Sequence, residues 1–263
     1  MRAKKSLGQN FLRDSDVIDR IVQSLGPIDE SAVVEIGPGR GALTEKLLEK
    51  AARVIAIEFD RDMIAILNER FGRCDNLTLI NADALNIDYS PLVHSENCQD
   101  PAKLVANLPY NISTPILQSL AAQRVLFSDL VLMFQKEVVE RITAPPGGRE
   151  RGFLSVIVEE AFETEKLFDV PPSAFTPVPK VWNSVVRLAP KPFTMAAPAV
   201  FRKLVSSSFA QKRKTILNNL RSILKQPEEA LAAAGIEGRR RAETLTLEEW
   251  RRLTDVVEPE INK

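Results

Sequence analysis

The sequence predicts an α/β fold: an open, mostly parallel sheet with helices on both faces, followed by a small all-helical domain. Three observations carry that expectation. Between residues 32 and 134, apolar stretches of buried-strand type alternate with helical patterns, the mark of repeated βαβ units. A glycine-rich turn, Gly37-Pro38-Gly39-Arg40-Gly41, joins the first such stretch to the first helix of the series. After Ala189-Pro190-Lys191-Pro192 the strand signals fade and helical segments follow.

In chain order, Asp14 or Ser15 can cap a first helix, and the apolar Leu7, Phe11 and Leu12 just before it can dock the N-terminal arm, bringing Asn10 within reach of a ligand. Strands are expected at 32–36, 53–58, 77–81, 103–106 and 129–134, because near-continuous apolar runs suit strands covered on both faces. Helices are expected at 41–50, 60–71 and 114–123; in the second, Met63, Ile64, Leu67 and Phe71 recur at helical spacing. Two further strands, 164–170 and 184–188, flank the proline-rich loop Pro171–Pro179 and complete the sheet. Beyond the linker, helices are expected near 198–209, 212–225, 227–234 and 246–256. The division is therefore 1–190 for the sheet domain and 195–263 for the helical one.

Composition narrows the chemistry. With 44% hydrophobic and 27% charged residues, the 263-residue chain can bury a sizeable core and is not disordered as a whole. Its longest apolar runs are five residues, such as Leu130 to Phe134, far short of the roughly 20 that a membrane helix needs. Residues 1–5, Met-Arg-Ala-Lys-Lys, lack the apolar region of a secretory signal. Only Cys74, Cys98 and a single histidine, His94, occur, so a histidine base, a metal cage or a disulfide framework is poorly supported, and a reducing cytoplasm fits best. The net charge is zero, which counts against general attraction to nucleic acid. Yet residues 195–263 carry 13 Lys/Arg against 9 Asp/Glu, leaving an acidic body and a basic tail.

Three strand ends point to a cofactor. The glycines after the first strand allow a ligand to approach the backbone closely, and their G-x-G-x-G spacing differs from the G-x-G-x-x-G that cradles a dinucleotide pyrophosphate. Glu58 ends the next strand, 21 residues after Gly37, where a carboxylate can accept hydrogen bonds from both hydroxyls of a ribose. Asp83 follows the third strand, where it can receive an adenine amino group. Each acid alone also reads as a solvated loop residue; together with Gly37 and Gly39 they describe a site for S-adenosylmethionine on a Rossmann-like methyltransferase sheet.

Asn107-Leu108-Pro109-Tyr110 follows the fourth strand, on the same edge. The exocyclic amine of adenine is a poor nucleophile because its lone pair is delocalised into the ring. Hydrogen bonds from that amine to the Asn107 side-chain oxygen and the Leu108 carbonyl would aim it at a methyl sulfonium, while Pro109 removes a backbone donor and fixes φ. Tyr110 offers a face on which a flipped base can stack. Phe175, in the stiff loop ending Pro177-Val178-Pro179, is either a second stacking wall or a core anchor for that loop. In the tail, Lys212, Arg213, Lys214 and Arg221, with Arg239 to Arg241, can position phosphates or form a solvated helix face.

These motifs resemble the ribosomal RNA adenine-N6,N6-dimethyltransferases over most of the chain. The resemblance runs from Lys5-Ser6-Leu7-Gly8-Gln9-Asn10-Phe11-Leu12 through Glu35-Ile36-Gly37-Pro38-Gly39, Asn107 to Pro115, Gln135-Lys136-Glu137-Val138, Gly152 to Val156 and Phe175 to Val181, ending at Gln211 to Thr215. It implies S-adenosylmethionine contacts from Asn10, Leu12, Gly37, Glu58, Asp83 and Asn107, with Asn107 to Tyr110 and Phe175 holding the target adenine. It further implies dimethylation of two adjacent adenosines in a hairpin loop near the 3′ end of small-subunit rRNA, on an assembling subunit; the catalytic domain would be 1–190 and the RNA-binding domain 195–263. A monomer, without metal or membrane, is expected. Arg151 stands where an aromatic residue often precedes the glycine of Gly-x-Leu-Ser-Val, and Trp182-Asn183 where Asp-Ser often follows Lys-Val. Two alternatives stay open: a related resistance methyltransferase acting on large-subunit rRNA, and a non-catalytic RNA-binding accessory protein on the same fold. The glycine spacing disfavours a dehydrogenase.

Overall fold

In the computed structural model, which describes residues 9–93, 99–109 and 112–261, nine strands follow one another: β1 (Phe11–Leu12), β2 (Ser31–Ile36), β3 (Arg53–Glu58), β4 (Leu77–Asn81), β5 (Gln99–Asn107), β6 (Phe127–Gln135), β7 (Phe162–Val170), β8 (Phe175–Thr176) and β9 (Asn183–Pro190). Seven of them form one sheet in the order β4-β3-β2-β5-β6-β9-β7. The run from β4 to β6 is parallel, and β9 is antiparallel to both β6 and β7. The inner parallel strands β2, β3, β5 and β6 are largely apolar because both faces are covered: Val33, Val34, Val54, Ile55, Leu104, Val105, Leu130 and Val131 are all buried completely. The chain leaves β2 toward β3 on one side and later enters β5 on the other, so the strand order reverses at β2, where open sheets bind ligands at their carboxyl edge.

Two of the helices on the sheet begin where a side chain satisfies their first N–H groups, and one begins at a left-handed glycine. In α1 (Ser15–Gln23) the Asp14 carboxylate accepts from the Asp16 and Val17 amides, and in α3 (Arg61–Phe71) the Asp60 carboxylate accepts from the Asp62 amide. Between them, α2 (Ala42–Leu48) starts from Gly41 at φ +83°, where a Cβ would lie 2.4 Å from the Phe71 ring. A short α4 (Ser90–Val93), α5 (Ser113–Ala122) and α6 (Lys136–Ile142) follow. β1 and β8 make a separate two-stranded ribbon in which Leu12 faces Phe175.

The chain divides into two compact units, residues 1–139 with 162–191, and residues 140–161 with 192–263. The linker near 189–192 coincides with the second unit's re-entry, but the segment 140–161, placed in the sheet domain by the sequence division at 190, groups with the helical unit. The reason is α7 (Phe153–Ala161), whose buried Leu154, Val156, Ile157 and Val158 belong to that unit. It lies with α8 (Pro198–Ser208) and α11 (Leu247–Ile261), the last anchored by the fully buried Trp250. The buried Arg151 donates to the Ala144 and Leu245 carbonyls and to Glu159 at 2.5 Å, fastening the inserted segment within the unit. The helix expected over 212–225 is only α9 (Ile216–Leu220). The Asn219 amide donates to the carbonyls of Ser208 and Gln211 at 2.7 and 3.2 Å, which bends 209–214 into a turn, and Thr215 then caps the helix. α10 is Pro227–Ala233.

Candidate active site

A cavity of about 260 Å³ opens at the carboxyl edge of β2, β3 and β5. Its wall includes Asn10, Leu12, Gly37, Gly39, Glu58, Asp83, Asn107, Leu108, Pro109 and Phe175, which brings together every described residue that the sequence assigned to cofactor or base. Tyr110, the proposed stacking face, lies outside the described residues, as do Lys4 and Lys5.

The glycine turn has the conformation that its composition permits. Gly37 and Gly39 have φ of +68° and +57°, in the left-handed region open to glycine. A Cβ on Gly39 would stand 3.2 Å from the Phe11 ring, so the bare backbone there also makes room for the N-terminal segment. The Arg40 guanidinium covers the other part of this contact, 4.6 Å from the centre of the Phe11 ring. Gln9 donates to Asp60 at 2.9 Å, and the Asn10 carbonyl accepts from the Asn107 amide nitrogen at 3.4 Å. Residues 9–12 lie along one wall of the cavity, held at one end by these bonds and at the other by the pairing of Leu12 with Phe175.

Glu58 is the centre of this wall. One carboxylate oxygen accepts from the Gly39 amide at 3.0 Å and the other from the Asp60 amide at 2.8 Å. Burial pushes its pKa up, and the backbone N–H groups of Asp60 and Gly39 oppose the rise. Each oxygen keeps lone-pair capacity, as vicinal hydroxyls require. Asp83 accepts from the Leu85 amide at 3.0 Å and the Asn86 side chain at 2.9 Å, so its carboxylate is held by its own turn. Asn107 ends β5 with its amide nitrogen committed to Asn10, which leaves its side-chain oxygen as the acceptor. The Leu108 amide donates to the Met133 carbonyl, and the Ile112 amide to the Pro109 carbonyl, both at 3.3 Å.

Phe175 is fully buried within the hydrophobic cluster that contains Leu12, and it also borders the cavity. Of its two sequence readings, core anchor or stacking wall, the anchor describes its present state: no part of the ring is open to solvent.

Three site features escaped the sequence. Glu35, inside β2, borders the cavity with its carboxyl buried and accepting from the Thr44 hydroxyl at 2.6 Å; the signal was a lone acid in an otherwise apolar run. Burial pushes its pKa up to about 7, the Thr44 hydroxyl pulls it down, and the nearby Glu58 charge pushes it further up. Phe59, 62% exposed, projects at the cavity wall one residue past Glu58. The third is Gln9, whose partner Asp60 lies 51 residues away.

In the second unit, Lys212, Arg213 and Lys214 are exposed in the turn before α9, not on a helix as expected. The Lys212 ammonium donates to the Arg149 carbonyl at 3.0 Å. Arg221 is engaged by Glu228 at 2.9 Å and Asn218 at 3.4 Å. Among the described residues no cluster of three His, Cys, Asp or Glu side chains is placed to hold a metal, and no helix is long and apolar enough to cross a membrane.

Comparison with known proteins agrees with this geometry. A family profile described as ribosomal RNA adenine dimethylase matches residues 1–258. Ribosomal RNA small subunit methyltransferase A of Saccharophagus degradans is 43% identical over 261 residues, covering 98% of this chain and 96% of its own. The protein of the same name from Hahella chejuensis is 43% identical, covering 97% and 93%. Among solved structures, a dimethyladenosine transferase from Plasmodium falciparum superposes with a TM-score of 0.79 at 28% identity, covering 95% and 98% of the two chains. The 23S rRNA methyltransferase ErmE gives 0.68 at 27% identity, covering 95% and 100%.

Proposed function

Since the chain belongs to the ribosomal RNA adenine dimethylase family, and is an S-adenosylmethionine-dependent methyltransferase of small-subunit rRNA, we propose that it dimethylates N6 of two adjacent adenosines in a hairpin loop near the 3′ end of that RNA, within an assembling subunit. One observation carries this reading: Glu58, Asp83 and Asn107-Leu108-Pro109 surround a single cavity at the point where the strand order reverses. The identity to small-subunit enzymes, 43% against 27% to the large-subunit one, favours the small-subunit substrate.

S-adenosylmethionine supplies a methyl group on a positively charged sulfur. Glu58, its plane fixed by two backbone N–H groups, accepts from the ribose hydroxyls, and Asp83 accepts from the cofactor's adenine amine. Gly37 and Gly39 give the methionine end close access to backbone, Asn10 and Leu12 close that side, and Phe59 offers an apolar face beside the ribose. The Asn107 side-chain oxygen and the Leu108 carbonyl accept from the target amine and turn its lone pair toward the methyl group. Tyr110 stacks on the extruded base; Phe175 meets it only if its packing against the β1 segment loosens. No strong base is required, because the methylated amine is acidic while cationic and water can take its proton. The basic residues Lys212, Arg213 and Lys214, with Arg221, hold phosphates outside the cavity. We place the enzyme in the cytoplasm as a monomer.

The test is incubation with small subunits that lack the modification, in the presence of labelled cofactor, followed by mapping of the methylated nucleosides. N6,N6-dimethyladenosine at two neighbouring positions near the 3′ end is expected. Label confined to large-subunit rRNA, or absent from rRNA, overturns the reading.

A further inference from the structure

Three large apolar side chains stand in the open along the short loop between β8 and β9: Val178 at 63% exposure, Val181 at 41% and Trp182 at 51%. A tryptophan buries a large apolar area wherever it can, so a half-exposed one beside two exposed valines marks a contact surface. The loop is not slack. Pro177 and Pro179 restrict its backbone, the Lys136 amide donates to the Trp182 carbonyl at 3.0 Å, and Asn183 next to it is paired with both Gln135 and Val170.

Sheet register fixes where this ridge lies. Asn107 pairs with Met133 on β6, and Gln135, two residues further along, pairs with Asn183. Trp182 therefore stands at the same carboxyl edge as Asn107, two strand spacings away, roughly 10 Å across the sheet. The exposed Lys180 sits two residues before it. An aromatic face with a cation beside it, at a fixed short distance from the proposed target base, is what unpaired RNA offers a partner for.

We propose that Trp182 stacks on a nucleobase flanking the target adenosine, forming a second base-binding site that positions the RNA strand across the carboxyl edge of the sheet. The reading of Asn107 as the target-base site underlies this inference. Trp182 is a binding residue for RNA and takes no part in methyl transfer, and Lys180 neutralises a phosphate of the same strand.

The experiment compares wild type, Trp182→Ala and Trp182→Phe on unmethylated small subunits. Loss of one base stack corresponds to about a 5- to 150-fold rise in KM for the subunit in Trp182→Ala, with kcat and cofactor affinity unchanged, and Trp182→Phe should recover most of it. In parallel, the tryptophan emission absent from Trp182→Phe should be quenched when wild type binds rRNA, since the other tryptophan, Trp250, is fully buried. A wild-type KM in Trp182→Ala overturns the proposal, as does equal damage from Ala and Phe, which means a structural role. Unquenched emission on binding the subunit also overturns it, because the ridge then meets something other than a base. Failure of the wild type to methylate its subunit tells against the substrate assignment instead, and the quenching by rRNA then decides whether Trp182 meets a base.

Discussion

Glu35 and Glu58 are buried carboxyls on adjacent strands, Glu35 paired across the ladder with Ala56, and they differ in what supports their charge. Glu58 accepts from two backbone N–H groups, which oppose the rise in pKa that burial causes; on the proposed ribose role, Glu58→Ala should weaken S-adenosylmethionine binding by about 1.5–3 kcal/mol, read by calorimetry on a folded protein. Glu35 has the Thr44 hydroxyl and a pKa pushed up to about 7 by burial, against 4.5 for an ordinary glutamate. A raised carboxyl pKa means that the folded state holds its proton longer than the unfolded one. The associated stability is fully present below about pH 4.5, falls as pH rises toward 7, and is gone above it. Glu35→Gln should therefore match wild type below pH 4.5 and be more stable near pH 8, by roughly 3 kcal/mol, in denaturant titrations. The place of Glu58 on the cavity wall was legible because it stands at a strand end, 21 residues after a glycine turn. Glu35 was not, because a single acid within Val33-Val34-Glu35-Ile36 reads the same whether its carboxyl is solvated, buried or functional.

At the scale of elements, the seven main strands were legible because apolar runs bounded by turns have one economical arrangement, and β9 and β7 appear where the flanks of the proline loop placed them. The ribbon of β1 with β8 was not, since two residues on each side carry no periodicity and the pairing joins positions more than 160 residues apart. Nor was the bend at 209–214, which depends on the reach of one Asn219 amide back to α8. The β1 segment bears directly on the cavity. Gly39→Ala puts a methyl group 3.2 Å from the Phe11 ring and strains a φ of +57°, so Phe11 must shift. We expect at least a tenfold loss of cofactor affinity, about 1.4 kcal/mol, with the main sheet intact by circular dichroism. Unchanged affinity would show that the segment at residues 9–12 is a bystander.

For the whole molecule, neutrality hides an uneven distribution of charge. The second unit brings basic residues from separate stretches together: Lys212 bonds to the Arg149 carbonyl, and the Ile216 amide to the Arg240 carbonyl, so the loop at 149, the turn at 212–214 and the run at 239–241 adjoin. Within that patch Arg240 is held by Glu249 at 2.5 Å, whereas Arg213 and Lys214 are exposed. Replacing Lys212, Arg213 and Lys214 together by alanine should weaken binding of small-subunit rRNA and lower the slope of log affinity against log salt by about 0.7 to 0.9 per lost phosphate contact. Cofactor affinity should stay as it is. A slope and affinity equal to wild type would move the grip off these three residues, to the Lys4-Lys5 arm or to the neighbouring Arg149.

The insertion of 140–161 into the helical unit sets a timetable for synthesis. The ribosome delivers α7 first, then the 36 residues that finish the sheet and reach the start of α8, the helix that α7 lies against. At a translation rate of roughly 5–20 residues per second, the apolar side of α7 waits about two to seven seconds for its partner. During that interval Leu154, Val156, Ile157 and Val158 are a nascent chain's sticky stretch, and Arg151 lacks the Leu245 carbonyl, which emerges later still. The chain thus leaves the ribosome that makes it with a helix in waiting, and slowing elongation between codons 162 and 198 should raise its dependence on chaperones.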